Sequence, residues 1–318
     1  MNILTDNELR YMAIKLMSAP TGRTLQTRIG ASDLANECDR CLAMAMGNIT
    51  RARSPRAEAI WMQKEVGTAI HLLQQERIEA TGIVDQLGIP SVRAEQRLRI
   101  GTIPGYGDVF GTIDVSMPFQ IVDWKGSDRV KGAFLHDFLL GAGLLPEGST
   151  PRWVKQKDTA RYEGGYKFEY GSSSGAKRVA QISARGYREA MDGMVHKMNG
   201  YHIQQTLYMH GRRLAGDDVR KGSIIWINRD GNGVNDVPEG ARYEDPTAIH
   251  DVWVLSFDYH EQTALDALAR GGRIWAQLEV GLAPEDFDAD PGCFYCSFEK
   301  EDVAETAPDI EAHLSIAA

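Results

Sequence analysis

The sequence predicts an α/β protein, and three observations carry that prediction. Two runs with strand patterning, VFGTIDVSM and FQIVDWKG, follow one another across a short turn near Met117-Pro118. Stretches with helical character lie on both sides of them, over Glu58–Thr81 and from about Met191 to Leu214. Two Cys-x-x-Cys pairs, Cys38/Cys41 and Cys293/Cys296, stand near opposite ends of the chain and account for all four cysteines. Such pairs suit one tetrathiolate metal site, which here would clasp the two ends of the fold together.

Taken in order, residues 1–30 are polar, with a helix expected over Asp6–Met17. A second helix, ASDLANECDRCLAMAMG, is expected to open at Ser32 or Asp33 as N-cap, with Cys38 and Cys41 one turn apart on it. Arg51–Arg56 reads as a basic linker. The helix over Glu58–Thr81 stops at Gly82 and contains Gly67-Thr-Ala-Ile-His71. VRAEQRLRI, residues 92–100, alternates like a strand and is expected to pair with VFGTIDV. Ser127–Asn199 mixes Gly-Leu, Lys/Arg/Tyr and Gly-Ser pieces, which suits either a contact for single-stranded nucleic acid or a mobile surface insertion. GSIIWIN and DVWVLSFD read as two more strands, and His260–Leu282 as a helix. Between those strands, Asn228 to Glu239 has the spacing of a calcium loop. Asn-Gly and Asp-Gly are equally ordinary hairpin-turn chemistry, and the flanking strands favour the turn.

The net charge of −9 argues against a nucleic-acid binder, but the charge is segregated. Lys125–Arg213 holds 15 lysines and arginines against 8 acids, a surplus of 7, so the remainder carries −16. That pattern allows one basic groove on an acidic body, or a solvated insertion. Met1–Tyr11 lacks the apolar core of a signal peptide, and no apolar run is long enough to span a bilayer, so the cytoplasm is the expected location and no membrane partner is expected.

The chemistry concentrates on the hairpin. Gly111-Thr-Ile-Asp114 and Asp123-Trp124-Lys125 would bring two carboxylates to the same end of neighbouring strands, a hard-oxygen site for Mg²⁺ or Mn²⁺. Lys125, two residues after Asp123, projects from the same strand face and could hold a water or meet charge on a phosphate. The alternative is a hairpin with solvated charges. His71 is a second candidate ligand, or a partly buried helix histidine. Glu95 could reach a metal through water or pair with an arginine across the strands. Gln204 and Tyr208 share a helix face, where an amide and a phenol could reach a phosphate or a base, or simply pack.

In this order the motifs resemble the PD-(D/E)XK nuclease superfamily. They are similar to its RecB-like branch with a cysteine-bound cluster, which includes the CRISPR-associated RecB-like exonucleases. The match runs over about residues 30–300: N-terminal cysteine, Gly-x-x-x-His, Gly-x-x-Asp, Asp-x-Lys, Gln-x-x-x-Tyr, C-terminal cysteines. The resemblance implies a restriction-endonuclease-like core, a mixed central sheet flanked by helices. It divides the chain into an N-terminal helical segment (1–57), a nuclease core (58–284) with an insertion at about 127–199, and a C-terminal segment (285–318). It implies hydrolysis of DNA by metal-activated water, with exonuclease action on single-stranded DNA or free ends. By the same resemblance His71, Asp114, Asp123 and the Trp124 carbonyl hold Mg²⁺ or Mn²⁺, Lys125 serves hydrolysis, and Gln204 and Tyr208 lie on the DNA side. Cys38, Cys41, Cys293 and Cys296 hold a [4Fe–4S] cluster, with Zn²⁺ the rival, because the two-and-two split departs from the relatives' one-and-three. Recombination or repair partners, phage DNA processing, a sequence-specific endonuclease and a non-catalytic DNA-binding protein with structural zinc all remain compatible.

Overall fold

The computed structural model describes residues 28–49, 76, 91–145, 147–158, 164–171, 177–228, 252–290, 293 and 296. The expected helix over Asp6–Met17, and that over Glu58–Thr81 apart from Glu76, lie outside the described residues, His71 among them, as does the Asn228–Glu239 loop beyond Asn228.

A mixed sheet forms the centre. Its strands are β1 (Arg93–Ile103), β2 (Gly107–Ser116), β3 (Gln120–Ser127), β7 (Lys221–Asn228) and β8 (Val252–Asp258), adjacent in that order. Neighbours run antiparallel except β3 and β7, which are parallel. A parallel pair needs a long crossover. Here it runs through α3 (Arg129–Gly141), a small sheet of β4 (Val154–Lys155), β5 (Tyr166–Gly171) and β6 (Lys177–Ile182), and α4 (Ala184–Leu214). The β1–β2 turn relies on Gly105 and Gly107, both at positive φ, which a side chain would strain. β1 runs three residues past its expected end, and β3, β7 and β8 fall where the strand patterning puts them.

The cysteine-bearing helix differs from expectation. It is two short helices, α1 (Ala31–Leu34) and α2 (Asp39–Met46), with Gly30 and Cys38 as their N-caps. Asp33 sits inside the first turn, where its carboxylate accepts the Gly30 N–H at 2.8 Å, so neither Ser32 nor Asp33 is the cap. The break follows from Asn36, whose side-chain oxygen accepts the Cys38 N–H at 3.1 Å and makes a local turn that competes with helix. Cys38 and Cys41 keep their one-turn spacing.

Two apolar cores hold the layers. In the first, Ile100, Ile103, Val109, Ile113 and Ile121 of β1–β3 pack against Leu207 and Met209 of α4, Leu268 and Ile274 of α5 (Glu261–Glu279), and Leu34 and Leu42. In the second, Ile224, Trp226, Trp253 and Leu255 of β7 and β8 meet Phe134 and Leu139 of α3, Trp153 and Phe168 of the crossover, and Met194 and Met198 of α4. Burying apolar side chains of this size is worth about 1.5–3 kcal/mol each against leaving them in water. α4 therefore serves both cores, its first half in one and its second half in the other. Ser183 caps it by accepting the Gly186 N–H at 3.0 Å, and Gly216, at φ +96°, follows its end.

The described part of Ser127–Asn199 is packed. Asp137, buried on α3, accepts the Arg152 and Trp153 N–H groups at 2.6 and 3.0 Å and the Tyr187 hydroxyl at 3.2 Å. A buried carboxylate needs such donors. The phenol of Tyr187 is pushed up, by burial first and then by the Asp137 charge. Trp153 stacks on Phe134, with ring centres 4.6 Å apart, and Tyr166 stacks on Tyr187 at 3.8 Å. The last 16 residues of the stretch, from Ala184, are the first turns of α4, which begins seven residues before the expected Met191.

Candidate active site

β2 and β3 pair through Val115↔Val122 and Ser116↔Ile121. One further step in that register sets Asp114 across from Asp123, and directly opposed residues of an antiparallel pair share a face. Beyond that point the Asp114 carboxylate takes over from the ladder. Its Oδ2 accepts the Trp124 backbone N–H at 2.9 Å, tying the two acid-bearing strands together. Asp123 is 4% exposed, and the Lys125 ammonium lies 2.7 Å from its Oδ2.

Burial opposes the Lys125 charge, but Asp123, followed by Tyr201 and Asp114, outweighs it and holds the ammonium well above the ordinary lysine range. Lys125 is therefore a cation at any pH near neutrality, a donor rather than a base. Two carboxylates thus converge on one ammonium, and buried carboxylates favour a cation beside them. The donor set is all hard oxygen, the chemistry of Mg²⁺ or Mn²⁺.

α4 closes the site from the side. The Gln204 amide donates to the Tyr208 hydroxyl at 3.0 Å, and both residues are buried. Burial, then the Asp123 charge, pushes the Tyr208 phenol upward, so it keeps its proton. Tyr208 reaches the acids because its ring lies on Gly111. A Cβ built there would meet Tyr208 Cε1 at 2.5 Å and Cδ1 at 3.1 Å. Gly111 is not at positive φ, so the glycine of Gly-x-x-Asp is required here for space, not conformation. One turn along, Gly211 does the same on the helix: its Cβ would meet Leu98 Cδ1 at 2.6 Å and the Arg99 carbonyl at 2.7 Å. These paired absences let α4 settle onto β1 and β2.

The structure thus brings Asp114, Asp123, Trp124, Lys125, Gln204 and Tyr208 together, while His71 lies outside the described residues. Glu95 is level with Asp114 in the β1–β2 register, between Ala94↔Val115 and Gln96↔Ile113, and its φ is +49°. A glutamate there is strained by roughly 1–3 kcal/mol, a pattern concentrated at functional sites. Sequence reasoning missed Tyr201. Its ring lies 5.2 Å from the Lys125 ammonium. The signal was available: Tyr201, Gln204 and Tyr208 follow the i, i+3, i+7 stripe of one helix face.

The second cluster is the clasp. All four cysteines are at most 5% exposed, and all are free thiols. Their Sγ atoms lie within 4.8 Å of one another, with Cys41–Cys293 at 3.2 Å and Cys38–Cys296 and Cys41–Cys296 at 3.5 Å. Burial, then Cys38, pushes the Cys296 thiol up to about 12, so thiolates there need a bound cation. A tetrahedral zinc with bonds of about 2.3 Å sets its sulfurs roughly 3.8 Å apart, close to this spacing. Two arginines frame the clasp. Arg270 of α5 donates to Asp39 at 2.7 Å and to the Leu34 and Asn36 carbonyls, and Arg40 donates to the Phe287 and Glu285 carbonyls at 3.2 and 3.1 Å. His196 of α4 lies 2.7 Å from Glu37 and 3.6 Å from Asp290, linking α4 to both flanks.

No protein-family model matches the chain, and no curated protein matches it. Among solved structures it is similar to an alkaline exonuclease from Laribacter hongkongensis, at 9% identity and a TM-score of 0.34, over 87% of this chain and 95% of that one. It is likewise similar to a phage-related exonuclease from Haemophilus somnus 129PT, at 12% identity and a TM-score of 0.39, over 80% and 96%. These likenesses are distant, and the sheet and site stand on their own geometry.

Proposed function

We propose that this chain is a divalent-metal-dependent deoxyribonuclease that hydrolyses phosphodiester bonds and works from DNA ends. The observation that carries the reading is Asp114 and Asp123 on neighbouring strands, with the Lys125 ammonium paired to Asp123. Mg²⁺ or Mn²⁺ held by Asp114, Asp123, the Trp124 carbonyl and His71 would polarise the phosphate and acidify a water. Lys125 meets the charge that develops on the phosphate oxygens, or orients the attacking water through its N–H groups. Asp114 performs two tasks, binding the ion and fixing the Trp124 peptide beside it. Tyr208 and Gln204, locked by their mutual hydrogen bond and by Gly111, give neutral donors on the DNA side. The family resemblance of the motifs supports DNA as the substrate.

For the clasp we infer one tetrahedral ion, with zinc its simplest occupant, in place of the [4Fe–4S] cluster that the resemblance implies. Four sulfurs bound to four separate irons would stand further apart than four bound to one ion, and the observed spacing is the tighter one.

The test incubates purified protein with end-labelled single- and double-stranded DNA, with Mn²⁺ and with EDTA. Progressive shortening from an end, lost in EDTA and in Asp114→Ala, is expected. Cutting at a fixed internal site would make it an endonuclease, and binding without cutting would make it a non-catalytic binder. Cleavage by Asp114→Ala at the wild-type rate would sink the assignment. Metal analysis of protein prepared without air should find one zinc and no band in the visible. A brown protein would restore the cluster.

A further inference from the structure

We propose that Lys197 and Lys131 form a second phosphate-binding subsite beside Lys125, which takes a backbone phosphate of the nucleic acid next to the scissile one. The proposal rests on the nuclease reading and names how that site holds its substrate. Lys197 extends the α4 stripe by one turn, so that Lys197, Tyr201, Gln204 and Tyr208 run along one face at i, i+4, i+7 and i+11. Tyr201 stands between two ammonium groups, Lys125 at 5.2 Å and Lys197 at 5.7 Å from its ring centre. Lys197 also lies 5.2 Å from the Trp226 ring, and Trp226 meets Tyr201 edge-on.

Counter-ions separate the three lysines. Lys125 has Asp123 at 2.7 Å, and Lys131 has Asp128 at 3.5 Å. Lys197 has no carboxylate within ion-pair distance among the described residues and rests on aromatic faces instead. Burial of its head group, then the charges of Lys131 and Lys125, push its ammonium down to about 8, with Asp128 pulling the other way. The residue as a whole remains exposed, so solvent blunts that shift. Lys197 thus brings a positive charge to a face whose nearby carboxylates Asp123 and Asp128 already hold Lys125 and Lys131, and a bound anion would meet that charge. The anion must carry charge near neutral pH and tolerate flanking rings, as a nucleic-acid phosphodiester with its bases does. Lys131 belongs to the first turn of α3, directly after the strand that bears Asp123 and Lys125, so the subsite adjoins the reacting centre.

The experiment measures binding without cleavage. Fluorescence anisotropy of labelled single-stranded and duplex oligonucleotides in EDTA, over a range of salt, is compared for wild type, Lys197→Gln, Lys197→Arg and Lys131→Gln. Loss of one phosphate contact should weaken binding about tenfold, uniformly across sequences, and lower the slope of log K against log salt by roughly 0.7–0.9. Lys197→Arg should restore the slope, and the melting temperature should hold throughout. If Lys197→Gln misfolds, Lys131→Gln reads the same subsite from α3. Wild-type affinity and slope in both glutamine variants would overturn the subsite and leave the nuclease reading standing. Conversely, a reduced slope in the glutamine variants, with a wild type that never cuts DNA in Mn²⁺, would sink the nuclease reading alone.

Discussion

Replacing Gly111 by alanine tests whether packing behind the site sets the position of its DNA-side groups. The new methyl group would stand 2.5 Å from Tyr208 Cε1, whereas ordinary contact begins at 3.4 Å, so the ring must retreat by about 0.9 Å. It has little freedom to do so. Tyr208 is 7% exposed and is tied to Gln204. Overpacking a closed site of this kind costs about 1–3 kcal/mol, or roughly 2–12 °C in melting temperature at about 2–4 °C per kcal/mol. A displacement near 1 Å beside reacting groups costs about 100-fold in rate. Thermal melting followed by circular dichroism reads the first quantity, and end-labelled DNA with Mn²⁺ reads the second. Adding Tyr208→Leu should recover the stability without the activity, since the clash goes and so does the phenol. If Gly111→Ala melts and cuts as wild type does, the glycine is not there to admit Tyr208, and the coupling argued here is wrong.

Four other perturbations have defined outcomes. Asp137→Ala strands the Arg152 and Trp153 N–H groups and should cost about 3–5 kcal/mol, read by chemical denaturation; a loss under 1 kcal/mol would show the crossover held by its aromatics alone. Lys125→Met removes the ammonium beside Asp123; cleavage should drop by about 10²–10³-fold, and Mn²⁺ should raise the variant's melting temperature more than the wild type's, an equal shift counting against metal binding at Asp123. His210 is buried, has its Nδ1 2.9 Å from the Tyr259 hydroxyl, and has its pKa lowered chiefly by burial. Its unfolded form then binds protons first, so stability is full above about pH 6.5 and falls as pH drops through that value toward the lower folded pKa; His210→Asn should flatten the profile, and identical profiles would exclude this histidine as the cause. A strong chelator, or Cys41→Ser, should lower the melting temperature, and protein indifferent to both would have a clasp of plain thiols.

The sheet was legible because its strands announce themselves. Val109, Ile113, Ile121, Ile224 and Leu255 are β-branched or apolar at strand spacing, and Met117-Pro118 breaks the run where the hairpin turns. Asp114, Asp123 and Lys125 were legible because charge on such strands needs a partner. The crossover was not legible. What orders it is a carboxylate on α3 accepting donors 15 and 16 residues away, and no local pattern shows that. The split of the cysteine helix was missed because Ala, Leu and Met favour continuity while one asparagine oxygen ends it. Nothing local in the sequence marks Lys197. Its meaning depends on Lys125 and Trp226, brought beside it by strand pairing far along the chain.

The clasp also constrains when the molecule can be finished. Cys38 and Cys41 leave the ribosome more than two hundred residues before Cys293 and Cys296. Until the later pair emerges, the earlier thiols have nothing to close against, however complete the sheet and helices between them are. Joining sites so far apart restricts the unfolded chain by roughly 5 kcal/mol if the ion stays bound on unfolding. The last stitch in assembly would then also hinder unravelling.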